Sequence, residues 1–310
     1  MISTNLNRLL ATLGVAAGAL FSAAAGDAEV IYRSELNGAD NWGVNATPDT
    51  SATFGFNYST VGIPEAPNSA PGDAATSGLK TEANISRGAS SFLTLYPVGE
   101  SFSGDYQLRF DAWINFEDNV GTSTEFIGGG LGYDGVTADV ASGAQLIATG
   151  DGGSASDWRA LKSGFFVDSS AMAAGTRQGS DPYYADFLPE APAPAAQGQA
   201  GGVSTPGSPG FQWVTYEFTA IGGVVDVVIE KPNGDRLPIV TMDCNDTSDG
   251  SNGCTIDGNI SLFYADFFTS IGNPTFQYGV FDNVVVTQIP EPTTSALLLL
   301  GAAAATRRRR

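Results

Sequence analysis

Not one of the 310 residues is a histidine. That absence removes the Ser-His-Asp and Cys-His constellations, and with them the usual ways of activating a nucleophile. Cysteine is nearly as scarce, with Cys244 and Cys254 the only two, and without histidine they cannot complete the usual zinc ligand set. Positive charge is the third scarcity: 14 lysines and arginines stand against 33 aspartates and glutamates. So acidic a surface repels phosphate and leaves nucleic acid without its basic footprint. Long apolar runs are lacking too. The two of note, Leu9 to Phe21 and Ala296 to Ala305, fall short of the about 20 residues that a spanning helix needs.

Those two runs sit at the chain ends, each in a telling context. Arg8 precedes the first, and Ser22-Ala23-Ala24-Ala25-Gly26 follows it with the small residues a signal peptidase reads. Residues 1–25 are therefore expected to be a helical secretory signal peptide cleaved after Ala25. The second run is framed by Pro290-Glu291-Pro292 and by Arg307, Arg308, Arg309 and Arg310. A helix over residues 293–306 would reach about 21 Å at about 1.5 Å per residue, short of the roughly 30 Å hydrocarbon core. The four arginines favour the cytoplasmic side, so the run reads as a temporary membrane hold.

Pro-Glu-Pro, a Leu/Ala-rich segment and an arginine cluster, in that order over residues 290–310, resemble the PEP-CTERM sorting signal of Gram-negative bacteria, with a shorter apolar run. The resemblance implies export, transient membrane retention through a short apolar helix, cleavage near Pro290 to Pro292 by an exosortase, and release to the cell surface or extracellular matrix. Signal peptidase and exosortase are the processing partners it implies.

Between the signals lie residues 26–289, enough for one large all-β domain or two small ones, with one domain the expectation. Arg8 and the four terminal arginines take five of the 14 basic residues, and Glu291 one of the 33 acidic ones, so this part carries a net charge of about −23. In an exported chain the two cysteines are expected to pair. Thirty-nine glycines, 16 prolines and 10% aromatics, without a helical period, describe short strands joined by turns. The clearest runs from Tyr106 to Phe116. Tyr106, Leu108, Phe110, Ala112, Ile114 and Phe116 share one face, and Gln107, Arg109, Asp111, Trp113 and Asn115 the other. Val214 to Phe218 alternates likewise, Lys231-Pro232-Asn233-Gly234 supplies a turn, and Arg236–Met242, Leu262–Phe268 and Phe276–Val286 complete the C-terminal strands. Residues 62–78 and 188–210, rich in proline, alanine and serine, are expected to be long surface loops. Gly128-Gly129-Gly130 and Asp151-Gly152-Gly153 read as strand connectors.

Three segments, Gly104 to Trp113, Phe211 to Thr215 with its Pro232-Asn233-Gly234 hairpin, and Tyr278 to Val286, resemble in their order the concanavalin A-like, laminin-G-like jelly-roll sandwiches. That resemblance implies an antiparallel jelly-roll β-sandwich, and a class in which many members bind glycans or calcium.

Candidate sites follow from chemistry. Flat aromatics beside carboxylates and amides can stack on sugar rings and orient their hydroxyls. Trp42, Trp113, Trp158 with Asp157 and Arg159, and the Tyr183-Tyr184 pair have that character, with Trp113 foremost because it shares the polar strand face. Asp282 interrupts an apolar alternation; a similar last strand in related sandwiches implies a structural calcium there, with Glu29 near it, and the alternative is a bulge or strand end that turns Asp282 toward backbone N–H groups or an arginine. In the loop Asp243–Gly250 an EF-hand register from Asn245 lacks the bidentate glutamate, because Ile256 stands at its twelfth position. Five Asn-x-Ser/Thr sequons, at Asn45, Asn57, Asn84, Asn245 and Asn259, leave glycosylation open. The expectation is thus an exported, non-catalytic sandwich that binds glycan or serves as a matrix component. A glycoside hydrolase using an Asp/Glu pair is the alternative, although no compact Glu-x-Asp-x-x-Glu signature occurs, and a purely structural surface protein is the third reading.

Overall fold

The structure, a computed structural model, describes residues 28–290 apart from 40, 73–75, 118–124, 200, 249–252 and 269–272. The signal segment 1–25 and the tail from Glu291 onward, with Pro292 and Arg307 to Arg310, lie outside the described residues. In chain order the strands are β1 (Glu29–Ser34), β2 (Trp42–Ala46), β3 (Thr50–Asn57), β4 (Ser77–Ala83), β5 (Ser91–Pro97), β6 (Tyr106–Asn115), β7 (Glu125–Tyr133) and β8 (Ala144–Thr149). They continue with β9 (Trp158–Lys162), β10 (Phe165–Phe166), β11 (Trp213–Ile221), β12 (Val224–Glu230), β13 (Arg236–Asp243), β14 (Asn259–Asp266) and β15 (Tyr278–Gln288). One sheet runs β13-β12-β11-β6-β15-β4-β3, with β1 also on β15, and the other runs β10-β9-β8-β7-β14-β5-β2. The ladders along both paths are antiparallel. The chain is therefore an all-β antiparallel sandwich that crosses repeatedly between its sheets, as the jelly-roll resemblance implies.

Period-two alternation explains the core. Tyr106, Leu108, Phe110, Ala112 and Ile114 of β6 and Val214, Tyr216, Phe218 and Ala220 of β11 point inward, against Ile127, Leu131, Leu146, Ile260 and Leu262 of the second sheet. All are buried, and each large apolar side chain so placed contributes roughly 1.5–3 kcal/mol.

Two sequence expectations need correction here. Gly128 to Gly130 are not connectors but the middle of β7. A Cβ on Gly128 or Gly130 would stand 2.0 or 2.1 Å from the carbonyl oxygens of Leu146 and Ala144, and on Gly129 2.2 Å from that of Ser261. Glycine is there because neighbouring backbone leaves no room for a side chain. The single apolar face expected from Phe276 to Val286 is in fact split by a bulge. Register passes from Asp282 opposite Asp111 to Val285 opposite Arg109, with Asn283 at φ 54°. Val284 and Val286 thereby turn into the core, while Tyr278 and Val280 join a separate apolar cluster.

That cluster is what the long loops build. A 3-10 turn, Tyr58–Val61, follows β3 and leads into the first loop, which ends where β4 begins at Ser77. The second loop follows the short helix α1 (Pro182–Ala185) and leads to β11. Tyr58, Ile63 and Ala66 from the first, with Ala191 and Ala193 from the second, pack on Trp113, Phe116, Phe211, Trp213, Tyr278 and Val280. The face of β6 that alternation assigns to groove or solvent is therefore roofed along part of its length. Cys244 and Cys254 form the expected disulfide beyond β13, and its short loop implies about 2–3 kcal/mol of stabilisation in the chain-entropy model.

Candidate functional site

The roofed face holds a carboxylate pair. Asp111 on β6 and Asp282 on β15 are register partners, and both side chains are fully buried. Asp111 accepts four hydrogen bonds: from Asn68 N at 3.0 Å, Asn68 Nδ2 at 2.6 Å, Thr215 Oγ1 at 2.5 Å and Asn283 Nδ2 at 2.7 Å. Asp282 accepts from Tyr58 Oη at 2.8 Å and from Asn283 N at 2.8 Å. Burial raises both carboxyls above the ordinary range. At Asp111 its donors oppose the rise. At Asp282 burial, followed by the nearby charges of Asp111 and Glu35, outweighs its donors and lifts it to about 8. Asp282 is thus neutral at pH 7. Together the two carboxyls tie the first loop to the sheet, Asp282 through Tyr58 and Asp111 through Asn68.

Toward β12 the same face carries ions. Arg109 Nη1 meets Glu217 at 2.9 Å and Nη2 meets Glu230 at 3.2 Å, and Arg236 bonds Glu217 as well. A polar recess of about 200 Å³ opens beside them, lined by Arg33, Asn68, Arg109, Asn283 and Val285.

On the other side of the carboxylate pair lies a larger cleft of about 530 Å³, within the range of small-molecule sites. Its floor is Trp113, Trp213 and Phe211, each only 3–4% exposed, and its walls are Gly62 and Pro64 from the first loop, Pro192 and Pro194 from the second, and Pro232 from the β12–β13 turn. Trp113 and Trp213 face each other across adjacent strands, with ring centroids 5.8 Å apart at 64°. Trp213 Nε1 donates to Pro64 O at 2.8 Å, which fixes both the indole and the wall. Gln212 adds a side-chain amide, held through Nε2 to Ser208 O at 3.1 Å and Pro189 O at 3.2 Å. Among the described residues no charged side chain lines this cleft.

Of the residues singled out from sequence, Trp113 alone lines the cleft. Trp158 is a correction: it is fully buried, stacks on Tyr184 at 5.6 Å and donates from Nε1 to Gly207 O at 3.1 Å. It offers no face to a ligand. Asp157 is likewise internal, with Thr149 Oγ1, Ser154 N and Gly179 N donating to its carboxylate. Arg159 lies over the Phe126 ring at 4.2 Å and donates to Ser156 O. Tyr184 is buried and Tyr183 half-buried, their hydroxyls donating to Thr176 O and Pro238 O. Trp42 is buried at the start of β2, and its Nε1 donates to Ser34 Oγ. These aromatics are packing residues of the sandwich and its flanking segments.

The calcium pair is a second correction. Glu29 is exposed at the start of β1, and both Asp282 oxygens are already engaged by protein donors. Among the described residues no group of three or more His, Cys, Asp or Glu side chains is arranged to hold a metal, so these residues do not fit the ion. The bulge alternative describes Asp282.

Trp213 and Asp111 are the site residues that the sequence reading passed over. A signal for Trp213 existed: once Val214, Tyr216 and Phe218 are inward, Trp213, Thr215 and Glu217 must share the opposite face. No comparable signal placed the loops on that face, because their contacts are long-range.

No family model matches the chain, and no curated protein matches it. Among solved structures it is similar to the exoplasmic/lumenal domain of VIP36 in its Ca2+/Man2-bound form, at 5% identity and TM-score 0.44, over 82% of this chain and 83% of that one. It is similar to lectin II from Ulex europaeus at 7% identity and TM-score 0.41, covering 84% and 99%. A third likeness is to the carbohydrate-binding module CBM66 from Bacillus subtilis, at 11% and 0.37, covering 79% and 94%. At such values none of these carries its ligand over to this chain.

Proposed function

We propose that the chain is an exported, non-catalytic β-sandwich that binds glycan in the cleft floored by Trp113 and Trp213, and acts at the surface or in the extracellular matrix of a Gram-negative bacterium. The observation that carries the reading is that cleft: an aromatic floor between proline walls, preformed by two loops, with an adjacent amide and no charge. The exposed proline rings of the walls, Pro64, Pro192 and Pro232, offer apolar surface to the faces of sugar rings above the buried indole floor, while Gln212 can orient a hydroxyl. The non-catalytic half is supported by the burial of Asp111 and Asp282, since a general acid or nucleophile must touch the glycosidic bond. Export and PEP-CTERM processing rest on the terminal motifs.

The test is retention on a panel of insoluble polysaccharides, with and without calcium. The intact protein is expected to be retained on at least one, and Trp213→Phe, which keeps a ring but removes the indole N–H tie to Pro64, is expected to weaken retention about five- to tenfold, or roughly 1–1.4 kcal/mol. Absence of retention on every polymer would remove the binding claim. Release of reducing sugar would turn the reading toward a hydrolase.

A further inference from the structure

The structure separates the five sequons by what each amide nitrogen already does. Asn45 Nδ2 donates to Tyr133 Oη at 2.7 Å and to Gly135 O at 2.9 Å. Asn259 Nδ2 donates to Pro97 O at 2.6 Å and to Glu100 O at 3.1 Å. Asn84 Nδ2 donates to Asp266 Oδ2 at 2.8 Å and to Phe268 O at 3.4 Å, and the residue is buried. An amide nitrogen bearing a sugar keeps one hydrogen, so modification at any of these three breaks an internal hydrogen bond and wedges a saccharide against packed chain. Asn245 Nδ2 donates to Gly222 O at 3.1 Å and lies 2.5 Å from where a Cβ on Gly223 would stand.

Asn57 differs. It is exposed at the end of β3, and its side-chain hydrogen bonds reach Oδ1, from Ser59 N at 3.2 Å, Ser59 Oγ at 2.7 Å and Thr76 Oγ1 at 3.2 Å, while its backbone carbonyl accepts from Thr60 Oγ1 at 2.6 Å. The sequon Asn57-Tyr58-Ser59 is thus held as a tight turn whose serine hydroxyl sits on the asparagine carbonyl, and Nδ2 is the end not used by that turn. Tyr58 is buried beneath it, which fixes the turn to the sandwich.

We propose that Asn57 is an N-glycosylation site, the acceptor for a saccharide delivered from a lipid-diphosphate-linked donor after export. Nδ2 attacks C1 of the sugar, the C1–O bond to the diphosphate breaks with its electron pair leaving on the lipid diphosphate, and one Nδ2 proton passes to base. The product keeps Oδ1 and its three hydrogen bonds. The inference rests on the export proposed above and is independent of what the cleft binds.

The test is mass spectrometry of the chain recovered from the culture medium of its producing bacterium, with electron-transfer fragmentation to place any added mass. The expected result is a saccharide mass on Asn57, none on Asn45, Asn84 or Asn259, and complete loss of that mass in both Asn57→Gln and Ser59→Ala. The second variant keeps the Asn57 side chain and the Ser59 N–H bond, so it separates loss of the acceptor motif from loss of the turn. An exported chain lacking residues 1–25 but bare at Asn57, or one carrying saccharide at the three internal sequons, overturns the site alone. A chain held in the cell with residues 1–25 intact overturns the export reading and the site with it.

Discussion

Replacing Asp111 by alanine is expected to lower the free energy of unfolding by about 3–5 kcal/mol, read as a lower denaturant midpoint at unchanged slope. The substitution leaves Thr215 and Asn283, both buried, without the acceptor they share, and removes two of the three hydrogen bonds that hold Asn68. An orphaned buried donor costs about 1–3 kcal/mol. Asp111→Asn keeps the shape but turns an amide nitrogen toward some of the same donors, so it should cost nearly as much. A loss below about 1 kcal/mol for alanine would mean that the first loop is held by its apolar contacts alone.

The second large effect is on pH. Asp282 holds its proton up to about pH 8 in the folded chain, against an ordinary 3.8. Between those values the folded state binds more protons than the unfolded one, so stability falls as pH rises. The contribution is fully present below pH 4, declines through the window and levels off above pH 8, with a span of roughly 3–6 kcal/mol. Asp151, lifted to about 7 mainly by burial, tilts the curve the same way. Asp282→Asn cannot titrate and should flatten its share of the slope. The variant is then no more stable than the parent at pH 4 and more stable at pH 8, as urea unfolding at the two pH values would reveal. Equal slopes in the two proteins would assign the pH dependence to other groups.

How far the sequence reached can be argued from three places. The strand Tyr106 to Asn115 was legible because its alternation is strict and its inward set wholly apolar. The bulge at Asp282 was visible only as an interruption, since alternation cannot say whether a buried carboxylate recruits a cation or hydrogen-bond donors. Of those donors Asn283 is the next residue, but Tyr58 comes from a segment more than 200 residues away in sequence. Burial of Trp158 was invisible for the same reason. Its polar neighbours Asp157 and Arg159 suggest a surface, yet each is used internally by backbone groups and an aromatic ring. Composition predicted the loops at 62–78 and 188–210, but loop composition carries no period, and so no information on which face a loop covers. The cleft exists because both settle on the same face, and this is why Trp113 could be named and its partner Trp213 could not.

The four tryptophans make the central claim directly measurable, because each indole N–H gives its own NMR signal. Titration with a soluble oligosaccharide of the polymer that retains the protein is expected to shift the indole signals of Trp113 and Trp213, which floor the cleft, and to leave those of Trp42 and Trp158 in place. Saturable binding that leaves Trp113 and Trp213 unmoved, or that moves Trp42 or Trp158 instead, would contradict the assignment of the cleft as the glycan site.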